Sequence, residues 1–176
     1  MPALTDVAEA TPFDPERLVR TLAKHRVRYV LIGALAARLQ GFPRVTADAD
    51  ITPAMDRLNL ARLAAALRQL DARVFVAAIP EGLRFECSAE MLERATLWNL
   101  VTNAGRVDVA FQPAGTEGYS DLARGAIPFD VFGTDVEVAR LEDILRSKEA
   151  TGRVKDRQDA LILREMIRRS RKNVQR

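Results

Sequence analysis

Residues 30–51, VLIGALAARLQGFPRVTADADI, constrain this chain more than any other stretch. Tyr29, Val30, Leu31 and Ile32 form a continuous apolar run stopped by Gly33, the pattern of a buried central strand. Residues 34–40 are rich in alanine and leucine and end at Gly41, a residue suited to the position just past a helix. Phe42-Pro43 turns the chain, and residues 47–51 read as a second strand. Because a strand has period two, Asp48 and Asp50 share one face while Ala49 and Ile51 share the other. Carboxylates held that close repel, and each raises the pKa of the other. A hard divalent cation relieves the repulsion, and Mg²⁺ keeps positions open for substrate phosphates when carboxylates bind it. The stretch therefore points to metal-assisted phosphoryl chemistry.

The rest of the chain supplies more strands and helices around this unit. Asp14-Pro15-Glu16 is a helix start, and Phe13 and Leu18 are spaced as a hydrophobic staple. Leu18, Val19 and Leu22 then line one face of a helix ending near Lys24. Asp56 caps a helix carrying Leu60, Leu63, Ala64 and Leu67 at helical spacing. Residues 72–77, 84–87, 97–101 and 107–111 read as strands, and 119–124 as a short helix. Residues 129–139 read as a hairpin turning at Phe132-Gly133-Thr134-Asp135. Residues 141–151 are helical up to Gly152, and a last helix spans about 155–169. This order predicts an α/β (α+β) fold with a mixed β-sheet flanked by helices. The expected divisions are a flexible N-terminal arm (1–12), a core (13–139) and a C-terminal helical segment with a basic tail (140–176). The segment GALAARLQG is neither GxGxxG nor a P-loop, so the Rossmann and Walker phosphate fingerprints are absent.

Composition narrows the chemistry. One cysteine and one histidine among 176 residues leave no disulfide framework, no Cys- or His-cluster metal site and few His-based triads. His25 sits at a helix end, where a cation suits the macrodipole, and Cys87 reads as a small buried residue. The N-terminus lacks the basic and apolar regions of a signal peptide, and no apolar run approaches the roughly 20 residues that span a bilayer. A cytoplasmic setting with no membrane partner is the expectation. Lys and Arg exceed Asp and Glu by 27 to 24, a net charge of +3. Much of the excess crowds into Arg164, Arg168, Arg169, Arg171, Lys172 and Arg176, which read either as a solvated helix face or as a flank attracting RNA.

Gly33-Ala34, thirteen intervening residues, then Asp48-Ala49-Asp50-Ile51, with Asp108 in the later GRVDVAF, resemble the core signature of the DNA polymerase beta-like nucleotidyltransferase superfamily. Arg44-Val45-Thr46-Ala47-Asp48-Ala49-Asp50, then Lys148, then Lys155-Asp156-Arg157-Gln158-Asp159 are similar to the minimal nucleotidyltransferases of the AbiEii toxin type. The resemblance implies transfer of a nucleoside monophosphate from an NTP to an acceptor, with pyrophosphate leaving. It implies Asp48, Asp50 and Asp108 as catalytic residues and ligands of Mg²⁺ (or Mn²⁺). Asp121 and Asp130 are the rivals of Asp108 for the third carboxylate. It implies Gly33, Ala34, Arg44, Thr46, Lys148 and Lys155 as nucleotide-binding, with Asp156 and Asp159 orienting the lysines.

The physics of these residues agrees with those roles: Gly33 lets backbone approach a phosphate, and the helix after it presents free N–H groups. The likeness also implies a toxin–antitoxin or phage-defence setting, an RNA (or tRNA), a nucleotide or a protein as acceptor, and a cognate antitoxin protein. Two other expectations stand beside it. One is a small-molecule transferase of the aminoglycoside type, marked by an acidic acceptor cleft. The other is a non-catalytic nucleotide-binding or regulatory module, motivated by Ala34, which stands where the family usually has Gly or Ser and removes a side-chain donor.

Overall fold

The computed structural model describes the backbone of residues 11–174 and the side chains of residues 11–172. Most of the expected arm, and Arg176 of the basic tail, lie outside the described residues. Helix α1 (Pro15–Lys24) begins where the Asp14 carboxylate accepts the Arg17 N–H at 2.9 Å. Strand β1 (Tyr29–Ile32) runs into α2 (Gly33–Leu39), and β2 (Asp48–Pro53) returns beside it. Asp56 caps α3 (Arg57–Gln69) by accepting the Asn59 N–H. Then come β3 (Arg73–Val76), β4 (Ile79–Leu83), α4 (Ala89–Leu92), β5 (Leu97–Thr102), β6 (Gly105–Ala110) and α5 (Tyr119–Ala123). The hairpin β7 (Ile127–Val131) and β8 (Thr134–Val138) precedes α6 (Leu141–Thr151) and α7 (Val154–Val174).

The strands form one mixed sheet of eight in the order β4-β3-β5-β6-β2-β1-β8-β7, the α/β architecture expected. β2 runs antiparallel to β1 and parallel to β6, so the centre of the sheet is built by the strand that carries the two aspartates. Its inward residues Ala49 and Ile51 share a buried core with Leu31, Leu100, Val107 and Val109 and with the leucines of α1, α3 and α4. α3 packs on β2 and against α1 and α4, while α2 packs on β1 and β2 and meets α6. Burying one face of β2 in this core forces Asp48 and Asp50 to the other.

Two expectations are corrected. Residues 84–87 form no strand; the strand lies earlier, at β4, despite Pro80 and Gly82. β4 is an edge strand, where a proline's missing N–H costs no ladder bond. Gly82 adopts φ +74 and comes so close to β3 that a Cβ there would lie 2.9 Å from the Val74 carbonyl oxygen. The short helix α4, capped by the Ser88 hydroxyl accepting the Met91 N–H at 3.2 Å, occupies a stretch to which the sequence reading assigned no element. α7 also runs further than expected, to Val174, its outer turns laced by Glu165 with Arg168 and Arg169. Among the described residues no helix is long and apolar enough to cross a membrane.

Candidate active site

Across the sheet the register aligns Ile32, Asp50, Asp108 and Asn99 on neighbouring strands β1, β2, β6 and β5. Asp48 lies two residues before Asp50 on the same face, opposite Arg106. Three carboxylates are thereby placed on two adjacent strands. Their surroundings leave them poorly compensated. The Asp108 Oδ1 is buried and has no hydrogen-bond partner. Burial, then the charges of Asp108 and Asp48, push the Asp50 carboxyl up to about 7, against the pull of Lys148 and Lys155. Burial and the Asp48 charge likewise raise Asp108, opposed by Arg106 and Arg153. Asp48 is better provided for, with its Oδ1 accepting the Thr46 hydroxyl at 2.5 Å.

Gly33 explains how Asp50 fits. Its φ of +69 is a conformation that side chains rarely adopt, and a Cβ there would fall 2.2 Å from the Asp50 Oδ2. The bare backbone at the start of α2 is the seat of this carboxylate. Ala34 follows it on the lining of the cleft and offers no side-chain donor.

The cations come from elsewhere. α6 ends at Gly152 in the left-handed conformation, φ 65, and α7 starts two residues later, so the two helices meet at a tight corner. There the Lys148 ammonium donates to Asp156 Oδ1 at 3.2 Å and to Asp159 Oδ2 at 2.9 Å. The other oxygen of Asp159 accepts the Arg44 guanidinium at 2.8 Å, tying the loop before β2 to α7. Asp156 Oδ2 accepts the Thr151 hydroxyl at 2.5 Å and lies 3.5 Å from Arg153. Burial works to raise Asp156, but the bonds from Thr151 and Lys148 and the charges of Lys148 and Arg153 outweigh it and hold the carboxyl below its ordinary value. Lys155 is exposed and has no ion pair among the described residues.

These groups line one cleft of about 830 Å³, within the range of sites that bind small molecules. Two solved structures share the architecture. One, a Thermotoga maritima protein assigned as a nucleotidyltransferase, superposes with a TM-score of 0.51 at 18% identity, over 89% of this chain and 96% of that one. The other, the lincosamide antibiotic adenylyltransferase LnuA with lincomycin bound, has a TM-score of 0.57 at 12% identity, over 88% and 99%. The chain has a nucleotidyltransferase fold. No protein-family model matches it, and no curated sequence does so significantly.

On this fold the cleft gathers Gly33, Ala34, Arg44, Thr46, Asp48, Asp50, Asp108, Lys148, Lys155, Asp156 and Asp159, all the residues to which the sequence resemblance gives a role. Asp121 and Asp130 lie elsewhere: Asp121 pairs with Arg146 and Arg124, and Asp130 accepts the Gly133 N–H. Asp156 and Asp159 hold Lys148 and Arg44, whereas Lys155 stands free of them. Among the described residues no group of three acidic, His or Cys side chains is arranged to hold a metal ion. The carboxylates thus do not form a finished cage. That suits Mg²⁺, which takes one or two carboxylates and completes its shell with water and phosphate, and the orphaned Asp108 oxygen is a hard donor without a partner.

Sequence reasoning missed Arg153, Asn99, Asp143, Gln112, Pro113, Ala114 and Thr116, all on the lining. Asn99 had a signal. The tight β5–β6 turn pairs Thr102 with Gly105, and counting back from it puts Asn99 opposite Asp108. Arg153 and Asp143 carried none, since only the packing of α6 and α7 brings them to the cleft.

Proposed function

We propose that the protein transfers a nucleoside monophosphate from an NTP to a hydroxyl acceptor. The observation that supports this most is the orphaned, raised Asp108 beside Asp50 in a cleft that also holds Arg44, Lys148, Arg153 and Lys155. The triphosphate's charge belongs against those cations. The acceptor oxygen attacks the α-phosphorus, the bond to the bridging oxygen of the β-phosphate breaks, and pyrophosphate departs with that oxygen. The acceptor proton passes to Asp108, whose raised pKa suits a base. Asp48 and Asp50 would hold Mg²⁺ or Mn²⁺, which supplies charge neutralisation and Lewis-acid polarisation of the phosphate oxygens.

Within this chemistry, the AbiEii-type pattern of Arg44–Asp50, Lys148 and Lys155–Asp159 supports a toxin–antitoxin setting with an RNA acceptor and an antitoxin partner. The similarity to LnuA supports the alternative, a small-molecule acceptor. The carboxylate cluster suits a bound cation and nucleotide in either case, and the Asp48→Ala label-transfer test separates a transferase from a non-catalytic nucleotide-binding module.

The test is incubation of the full chain with each NTP labelled at the α-phosphate, Mg²⁺, and separate RNA and small-molecule fractions. Label transfer that Asp48→Ala abolishes is expected. Absence of NTP binding with both Mg²⁺ and Mn²⁺ would overturn the proposal.

A further inference from the structure

We infer that the acceptor is an uncharged, hydroxyl-bearing small molecule seated against β5 and the loop after β6, an inference that rests on the transferase reading. The cleft has two kinds of lining. Its cations come from the loop before β2, from α6 and α7, and from Arg153 in the corner between them. The lining contributed by residues 96–116 carries no charge except Asp108 itself. Leu97 is half exposed there, an apolar surface beside Ala110 in register. Asn99 stands directly across from Asp108 and is exposed, and its amide makes no hydrogen bond to another described residue. That amide can donate to one acceptor oxygen and accept from another at the place where a hydroxyl must meet Asp108.

A polyanion needs lysines or arginines along its path, one for each phosphate neutralised, and this side has none on the lining. Arg106 on β6 is exposed but is not on the lining, and it lies over the Phe75 ring at 3.8 Å. The basic helix does not substitute for them, because none of Arg164, Arg168, Arg169, Arg171 and Lys172 is on the lining of this cleft. A polycation fares no better, since among residues 96–116 of the lining its ammonium groups would find only Asp108, and that carboxylate is needed as the base. An uncharged amphipathic molecule meets Leu97 with its apolar part and Asn99 with its polar part. The reaction balances as before: acceptor oxygen to α-phosphorus, proton to Asp108, pyrophosphate released.

The experiment uses the full chain with Mg²⁺. Calorimetric titration with each NTP comes first; no binding defeats the transferase reading itself. With binding established, α-labelled NTP is offered a panel of neutral hydroxylated glycosides, an aminoglycoside, and total tRNA. Label on neutral acceptors alone is expected. Asn99→Ala should then raise acceptor KM by about tenfold, with NTP affinity and melting temperature unchanged. Label on tRNA or the aminoglycoside, label on no neutral acceptor despite NTP binding, or an unaltered acceptor KM in Asn99→Ala would each overturn the inference.

Discussion

The floor of the cleft and the α6–α7 corner both carry aspartates out of full solvent, but on the floor only Asp48 has a partner, the Thr46 hydroxyl, while both corner aspartates are fully provided. Asp156 and Asp159 are nearly covered, and among them their oxygens meet Lys148, Arg44, Thr151 and Arg153. Asp50 and Asp108 are placed side by side with each other's charge and an orphaned oxygen. One cluster is a finished scaffold that sets cations in position. The other is left incomplete and gains its partners from whatever binds. Buried charge is inexpensive where it is paired and costly where it is not, so the two clusters should respond to mutation with opposite signs.

The largest effect should come from the incomplete cluster. Asp108→Asn is expected to lower kcat by about 10³-fold without lowering the melting temperature, as measured by single-turnover kinetics beside calorimetry. If stability falls instead, Asp108 belongs to the scaffold. Next is the corner. Asp159→Asn removes the shared carboxylate beneath Lys148 and Arg44 and should cost about 3 kcal/mol in denaturant unfolding, with weaker NTP binding.

Asp50 tests the comparison through pH. Its folded pKa lies at about 7 against 3.8 for the free group, so the native state keeps a proton that the unfolded chain has lost. The metal-free protein should therefore lose stability as pH rises from about 4 to about 7. Asp50→Asn should be about 2 kcal/mol more stable than the parent at pH 8 and equal to it near pH 4. Mg²⁺ should stabilise the parent and not the variant. A parent whose stability is flat over that range would remove the strain from the argument.

Gly33→Ala combines a left-handed φ with a Cβ in the place of the Asp50 oxygen. It should cost about 1–3 kcal/mol and displace Asp50, lowering activity more than the stability loss explains. The smallest effect is reserved for Lys155, exposed and without an ion pair among the described residues. Lys155→Ala should leave stability within about 0.5 kcal/mol while raising NTP KM several-fold, read by steady-state kinetics.

The residues of the cleft were legible to different depths. Asp48 and Asp50 could be read as neighbours because two residues along a strand always share a face. The helix caps Asp14 and Asp56 and the stop at Gly152 were legible for the same local reason. The β4 strand was not, because Pro80 and Gly82 look like breakers until one knows that β4 is an edge. The basic C-terminal run was legible as charge, but that α6 brings Glu149 to Arg164 and Glu142 to Arg171 was not.

The sequence by itself determined the strand–glycine–helix–strand unit, the face on which its aspartates stand and the α/β class. These follow from period two, period 3.6 and the freedom of glycine, which act over a few residues. Tertiary structure alone decided that β6 lies beside β2 and brings Asp108 to Asp50. It also decided that Asp159 reaches Arg44 across 115 residues of chain, and that Lys155 stays free while Lys148 does not. Such pairings depend on which hydrophobic faces bury each other, and no local periodicity records the outcome.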